Sequence, residues 1–89
     1  MTYLDKLEFV FNHYGIEPQK QKIIEECNDL IQAIENNDEE NMLEEMADVL
    51  NVICQFALIP EYKEKITNIR DFKIDRQVER IRSKGVENG

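Results

Sequence analysis

The stretch "IIEECNDLI" at residues 23–31 returns as "MLEEMADVL" at residues 42–50. Each stretch has two apolar residues, two glutamates, two variable positions, an aspartate and two more apolar residues. An α-helix turns about 100° per residue, so this pattern gives each of two helices an apolar stripe flanked by acids. The short polar segment "NND" at 36–38 lies between them. The sequence therefore predicts an antiparallel helical hairpin at about residues 18–58.

Apolar residues spaced three and four apart continue outside the two stretches, and no window alternates as a strand does. They predict helices at about 2–14, 18–36 and 39–58, a weaker helical stretch after Pro60, a C-terminal helix at about 70–83 and a frayed tail at 84–89. The expected stripes of the hairpin are Ile23, Cys27, Leu30 and Ile34 on one helix and Met42, Met46, Val49, Ile53 and Phe56 on the other. The predicted fold is an all-α, four-helix bundle-like protomer forming one domain over residues 1–89.

Composition narrows the classes of function. The net charge of −8 argues against a protein that binds nucleic acid by neutralising its phosphates. No apolar run approaches the roughly 20 residues that span a bilayer, and the N-terminus does not resemble a signal peptide. The two cysteines read as reduced thiols, so we expect a cytoplasmic protein without a membrane partner. A chain of 89 residues buries a small core, which favours a homodimer or homotetramer.

The acids of the two stretches are in register. If Asn37 is the centre of the hairpin, Glu26 lies level with Asp48, and Asp29 lies level with Glu45. Four carboxylates at one height would repel each other, and a divalent cation with oxygen ligands (Mg²⁺, Mn²⁺ or Ca²⁺) relieves that repulsion. No Lys or Arg occurs between residues 23 and 62, so we expect no internal counter-charge.

Other interpretations of the acids carry weight as well. Acidic doublets on helices are usually solvated faces, and the repeat is also compatible with two merely similar amphipathic helices. A carboxylate-bridged iron site needs Glu-x-x-His motifs, and the only histidine, His13, lies far from both stretches. Zinc is disfavoured because Cys27 falls on an apolar stripe without a second ligand at suitable spacing.

The segments "KIIEECNDLIQAI" (22–34) and "NMLEEMADVLNVICQ" (41–55) resemble the MazG-like, all-α nucleoside triphosphate pyrophosphohydrolase superfamily. Its signature is E-x-x-E, a spacer, and E-x-x-D, which corresponds here to Glu26-x-x-Asp29 and Glu45-x-x-Asp48. Asp29 departs from the signature, which usually has Glu, and this shorter side chain puts tight Mg²⁺ coordination in question. The segment "FKIDRQVERI" (72–81) is similar to the ends of small members, often borne by phages or Firmicutes.

The resemblance implies a helical bundle built from dimers or tetramers. It implies that Mg²⁺, or Mn²⁺, supports hydrolysis of a nucleoside triphosphate to the monophosphate and pyrophosphate. By position, the metal ligands are Glu26, Asp29, Glu45 and Asp48. The same comparison gives catalytic roles near the metal or the attacking water to Glu25 and Glu26, and contacts with phosphate or base to Lys22 and Asn51.

Three cations recur at spacings of three and four near the C-terminus: Lys73, Arg76 and Arg80. They are candidates for binding triphosphate oxygens, within one chain or across a subunit boundary. The alternative is an exposed charged face with Asp75 and Glu79 as local partners.

Three functions follow from these observations. The preferred one is Mg²⁺-dependent pyrophosphohydrolysis of a non-standard or deoxynucleoside triphosphate. The second is a helical interaction or regulatory module that keeps the fold without catalysis. The third is a phosphoribosyl-ATP pyrophosphohydrolase of the same superfamily. No residue of the sequence points to phosphoribosyl-ATP as the substrate.

Overall fold

A computed structural model of the chain describes the backbone of residues 1–88 and the side chains of residues 1–84. It contains four α-helices: α1 (Tyr3–Tyr14), α2 (Ile16–Glu35), α3 (Glu39–Phe56) and α4 (Pro60–Asn88). No strand occurs among residues 1–88, which confirms the all-α prediction. The chain divides into two compact units, Met1–Leu58 with the first three helices and Ile59–Gly89 with α4, and each is described by itself. One domain over residues 1–89 stays a prediction.

Helix α1 has strong signals at both ends. The Thr2 hydroxyl accepts a hydrogen bond from the Asp5 backbone N–H, and the Asp5 carboxylate accepts one from the Thr2 backbone N–H, which forms a capping box. At the other end Gly15 adopts a φ of 88°, a conformation that favours glycine. Leu7 is the buried residue of α1, and the Phe11 ring meets the Phe56 ring of α3 edge-on at 5.6 Å.

The predicted hairpin of α2 and α3 is confirmed. Asn37 takes a left-handed φ of 56° at the turn, and the Asp38 carboxylate caps α3 by accepting a hydrogen bond from the Asn41 N–H. Near the open end, the buried Gln19 side chain donates to the Gln55 side chain at 2.7 Å. Gln19 and Gln55 lie equally far from Asn37 along the chain, so this hydrogen bond confirms the register centred there.

The packed face of the hairpin coincides only partly with the predicted stripes. The buried residues of α2 are Gln19, Glu26 and Ala33, spaced seven apart, rather than the line through Cys27 and Ile34. Ile34 is 50% exposed. A helix places Cys27 about 100° around from Glu26, so the line that packs inside this chain runs through the acid and leaves part of the apolar stripe outside. On α3 the buried residues are Val52, Gln55 and Phe56, of which Phe56 belongs to the predicted stripe.

Helix α4 is longer than the sequence suggested. The weaker stretch and the C-terminal helix expected at 70–83 form one helix that begins at Pro60, because proline suits the first turn and no Gly or Pro interrupts residues 61–84. The frayed tail expected at 84–89 stays a prediction, and α4 as described ends at Asn88. Gly89 lies outside the described residues.

Candidate metal centre

The hairpin brings three of the predicted ligands together. One carboxylate oxygen each of Glu26, Glu45 and Asp48 lies within 4.8 Å of the others. Glu26 comes from the centre of the packed face of α2, and Glu45 and Asp48 are one turn apart on α3. We call these three residues the acid cluster. Glu26 is buried, Glu45 is half-buried and Asp48 is exposed, so the acid cluster opens to solvent on one side.

Asp29 belongs to a second, overlapping group. Its carboxylate lies with those of Glu25 and Glu26, again with one oxygen each inside 4.8 Å. Glu26 is common to both groups and links them. All four predicted ligands and the predicted catalytic Glu25 therefore lie in one region, but Asp29 reaches the neighbouring acids of its own helix rather than completing the acid cluster.

The expectation of no internal counter-charge is wrong. The Lys22 ammonium lies 3.2 Å from a carboxylate oxygen of Glu26 and 3.6 Å from one of Glu25. Lys22 stands just before the stretch without cations, one turn ahead of Glu26, so helical spacing returns its charge to the site. Its hydrogen bond to Glu26 and the nearby charge of Glu25 raise the pKa of the Lys22 ammonium. Lys22 thus compensates part of the negative charge on the α2 side.

Glu45 has no such partner. Its Oε2 atom is buried without a hydrogen-bond partner among the described residues. Burial raises the pKa of the Glu45 carboxyl, and hydrogen bonding to Glu26 and the negative charges of Asp29, Glu26 and Asp48 raise it further. An oxygen that is buried, unpaired and faced by other carboxylates suits a hard divalent cation, which supplies positive charge and takes oxygen ligands. The donor set of this site therefore fits such an ion.

Comparison with known protein families decides the family. The family model of the MazG nucleotide pyrophosphohydrolase domain matches residues 15–85, which include both acidic stretches and most of α4. The chain belongs to the MazG family. Comparison with curated proteins and with solved structures gives no match. Membership implies a nucleotide substrate, and members of the family generally depend on a divalent metal ion.

The structure also contains a contact, outside the matched residues at one end, that the sequence did not suggest. Tyr3, at the start of α1, donates a hydrogen bond from its hydroxyl to Asn51 Oδ1 at 2.7 Å. Asn51 was predicted to touch substrate, and it lies one turn after Asp48 on α3. No motif signals the role of Tyr3, because α1 precedes the matched residues and the two partners are 48 positions apart.

The three predicted cations of α4 lie together. Lys73, Arg76 and Arg80, with Gln77, line one shallow depression on this helix. Among the described side chains, none of the three forms an ion pair, whereas Arg70 pairs with Asp71 and Arg82 pairs with Glu79. The local partners expected for a merely solvated charged face are therefore not engaged by these three residues.

Among the helices of residues 1–88, none has both the length and the apolar character needed to cross a lipid bilayer.

Proposed function

We propose that this MazG domain hydrolyses a nucleoside triphosphate, non-standard or deoxy, to the monophosphate and pyrophosphate in a reaction that requires Mg²⁺, with Mn²⁺ as a substitute. The observation that carries the proposal is the acid cluster: carboxylates of Glu26, Glu45 and Asp48 from two helices converge within 4.8 Å and leave a buried Glu45 oxygen unpaired. Phosphoryl transfer needs positive charge next to the phosphate oxygens, and the carboxylates of the acid cluster are suited to bind a divalent cation that supplies this charge.

The ligands of the ion would be Glu26, Glu45 and Asp48, with Asp29 completing the set directly or through a water molecule. When bound, the ion supplies charge neutralisation for the phosphates and makes a coordinated water more acidic. Glu25 is exposed beside Glu26, and its carboxylate, which lies 3.6 Å from the Lys22 ammonium, can accept the proton of the attacking water. Glu26 also has a catalytic role. It is buried and belongs to both acidic groups, so it holds Glu25 next to the acid cluster.

Asp29 is the residue on which catalytic strength depends. Its carboxylate groups with Glu25 and Glu26, and it is one methylene shorter than the usual glutamate of the family. Mg²⁺ requires near-octahedral geometry at about 2.0–2.1 Å, so a short ligand loosens coordination. We expect Asp29→Glu to tighten Mg²⁺ binding in calorimetric titrations and to raise kcat. Unchanged affinity in that variant would show that Asp29 does not contact the ion.

The substrate contacts would come from two places. Lys22 is about half exposed, and its ammonium, shared between Glu25 and Glu26, can also approach a phosphate oxygen. Lys73, Arg76 and Arg80 form an unpaired cationic depression of the kind that binds a polyphosphate chain. Asn51, one turn beyond Asp48, would contact the remainder of the nucleotide.

Self-association is part of the proposal because the hairpin carries a second apolar face. In the register centred on Asn37, Ile24 lies level with Leu50, and Ile31 lies level with Leu43. All four side chains are more than half exposed. An exposed layer of matched apolar pairs is typical of a surface that a second copy covers, and we expect a homodimer or homotetramer built on it.

Sedimentation velocity tests this part. Leu50→Glu should shift the protein to the monomer, because it places a charge within the apolar face. Phe9→Glu is the matched control, since Phe9 is equally exposed (62%) on α1. Identical sedimentation of the two variants and the parent protein would contradict an interface on this face.

The competing function is a non-catalytic interaction module. The observation that favours it is the Lys22 ammonium, which already compensates Glu25 and Glu26 and so lets part of the acidic region persist without an ion. A panel of ribo-, deoxyribo- and oxidised nucleoside triphosphates, incubated with Mg²⁺, separates the two functions by pyrophosphate release. Turnover that is lost in Asp48→Asn and kept in Glu40→Gln supports the enzyme. No release from any nucleotide, with no thermal shift on adding Mg²⁺, supports the module.

A further inference from the structure

The hydrogen bond between Tyr3 and Asn51 fixes the orientation of an exposed amide beside the acid cluster. The Tyr3 hydroxyl occupies Asn51 Oδ1 at 2.7 Å. Desolvation and the neighbouring Cys54 thiol raise the pKa of Tyr3. A tyrosine hydroxyl, with an ordinary pKa of about 10, is protonated at neutral pH and can donate. Since Oδ1 accepts the hydrogen bond from Tyr3, the Nδ2 group is the part of the Asn51 amide that remains available to a ligand, and it has two N–H donors.

These donors have no acceptor among the described residues, and Asn51 is exposed. Three residues along a helix correspond to a rise of about 4.5 Å, so Asn51 stands that far beyond Asp48 along α3. If the triphosphate oxygens gather at the ion held by the acid cluster, the next groups outward from the α-phosphate are the sugar and the base. Both carry oxygen or nitrogen acceptors that suit an N–H donor.

We propose that Tyr3 is a positioning residue that holds Asn51 with its N–H donors toward the nucleoside portion of the substrate. This inference rests on the proposed function, because it takes the acid cluster as the place where the triphosphate binds. Tyr3 acts through Asn51 and does not itself touch the reacting atoms. The contact also gives α1 a role in selectivity, because it ties the start of this helix to the rim of the site.

A double-mutant cycle tests the proposal. Tyr3→Phe keeps the ring and removes only the hydroxyl, and Asn51→Ala removes the amide. With the best nucleotide of the panel, we expect Tyr3→Phe to raise KM roughly three- to tenfold with little change in kcat, the range of one lost hydrogen bond. Asn51→Ala should raise KM at least as much. The double variant should match Asn51→Ala alone, because the Tyr3 hydroxyl has no effect once its partner is gone.

Two additional measurements exclude a purely structural role. Calorimetric affinity for Mg²⁺ and for inorganic triphosphate with Mg²⁺ should be unchanged in Tyr3→Phe, because neither probe has a nucleoside portion. Tyr14→Phe, which changes the exposed tyrosine at the other end of α1, should leave KM unchanged. A KM increase that differs among nucleotides with the same sugar indicates that Asn51 contacts the base, and an increase that is uniform among them indicates that it contacts the sugar; both outcomes support the proposal.

The outcomes that overturn it are distinct from failure of the proposed function. A parent protein that releases pyrophosphate, together with a Tyr3→Phe variant whose KM is unchanged or whose effect adds fully to that of Asn51→Ala, refutes the role of Tyr3 alone. Weakened binding of inorganic triphosphate in Tyr3→Phe likewise refutes a contact with the nucleoside. A parent protein without turnover or nucleotide binding removes both the proposed function and this inference.

Discussion

Replacing Glu45 by glutamine tests the acid cluster through metal binding. The variant keeps the size of the side chain and removes its negative charge. In the parent protein the Oε2 atom of this side chain is buried without a hydrogen-bond partner. In the absence of metal we expect Glu45→Gln to unfold at a higher temperature than the parent protein, because the repulsion from Glu26, Asp29 and Asp48 is relieved. In the presence of Mg²⁺ the order should reverse, because a ligand of the ion is lost.

The size of the metal effect follows from linkage. Mg²⁺ at 100 times its dissociation constant stabilises the folded state by about 2.7 kcal/mol. For a chain of this length that corresponds to a rise in Tm of roughly 10–20 °C, at 4–8 °C per kcal/mol. If Glu45→Gln weakens binding about 100-fold, the stabilisation at the same Mg²⁺ concentration falls to about 0.4 kcal/mol, or a rise of about 2–3 °C.

The assay is thermal unfolding followed by circular dichroism, in EDTA and at the chosen Mg²⁺ concentration. The dissociation constant of the parent protein is first measured by calorimetry. Glu44→Gln is the matched control, since Glu44 is the exposed neighbour on α3 and belongs to neither acidic group. A Mg²⁺ shift in Glu45→Gln equal to those of the parent and of Glu44→Gln would show that Glu45 does not hold the ion.

Three further predictions concern the hairpin. The raised pKa of Glu45 means that the folded state binds more protons than the unfolded state, so the free energy of unfolding without metal should fall as pH rises through that pKa. Measured in EDTA from pH 4 to 8, the free energy of unfolding of Glu45→Gln should depend less on pH than that of the parent protein. Equal pH dependence of the two proteins would contradict the assignment. Gln19→Leu should cost about 1–3 kcal/mol in urea unfolding because it leaves the Gln55 oxygen buried without a donor, whereas Gln19→Leu with Gln55→Leu should be nearly neutral; additive losses would speak against the hydrogen bond. Phe56→Leu should cost about 1 kcal/mol and Phe56→Ala about 3–5 kcal/mol, with Phe9→Leu close to the parent, and equal values for all three would mean that Phe56 is not in the core.

Much of the hairpin could be predicted because its signals are local. The repeated stretch gave helical periodicity, "NND" gave the turn, and equal spacing about Asn37 gave the register that the Gln19–Gln55 hydrogen bond confirms. The convergence of Glu26, Glu45 and Asp48 follows from that register and from the three-residue spacing on α3.

The remainder depends on tertiary contacts that no short pattern encodes. The face of α2 that packs inside the chain runs through Glu26 rather than Cys27, because two apolar faces compete on this helix and the sequence does not say which one is covered first. Lys22 lies one residue before the stretch without cations, so the charge pattern of that stretch alone does not show that Lys22 partly neutralises the acids. The contact between Tyr3 and Asn51 joins residues 48 positions apart, and neither residue carries a distinctive motif.

Pyrophosphohydrolysis at the acid cluster is tested by ³¹P NMR of a reaction containing the protein, Mg²⁺ and the nucleoside triphosphate of the panel that is consumed fastest. We expect pyrophosphate and the nucleoside monophosphate in equal amounts, with neither product formed by Asp48→Asn or in EDTA. Release of orthophosphate and the diphosphate, or equal turnover by Asp48→Asn, would contradict this expectation.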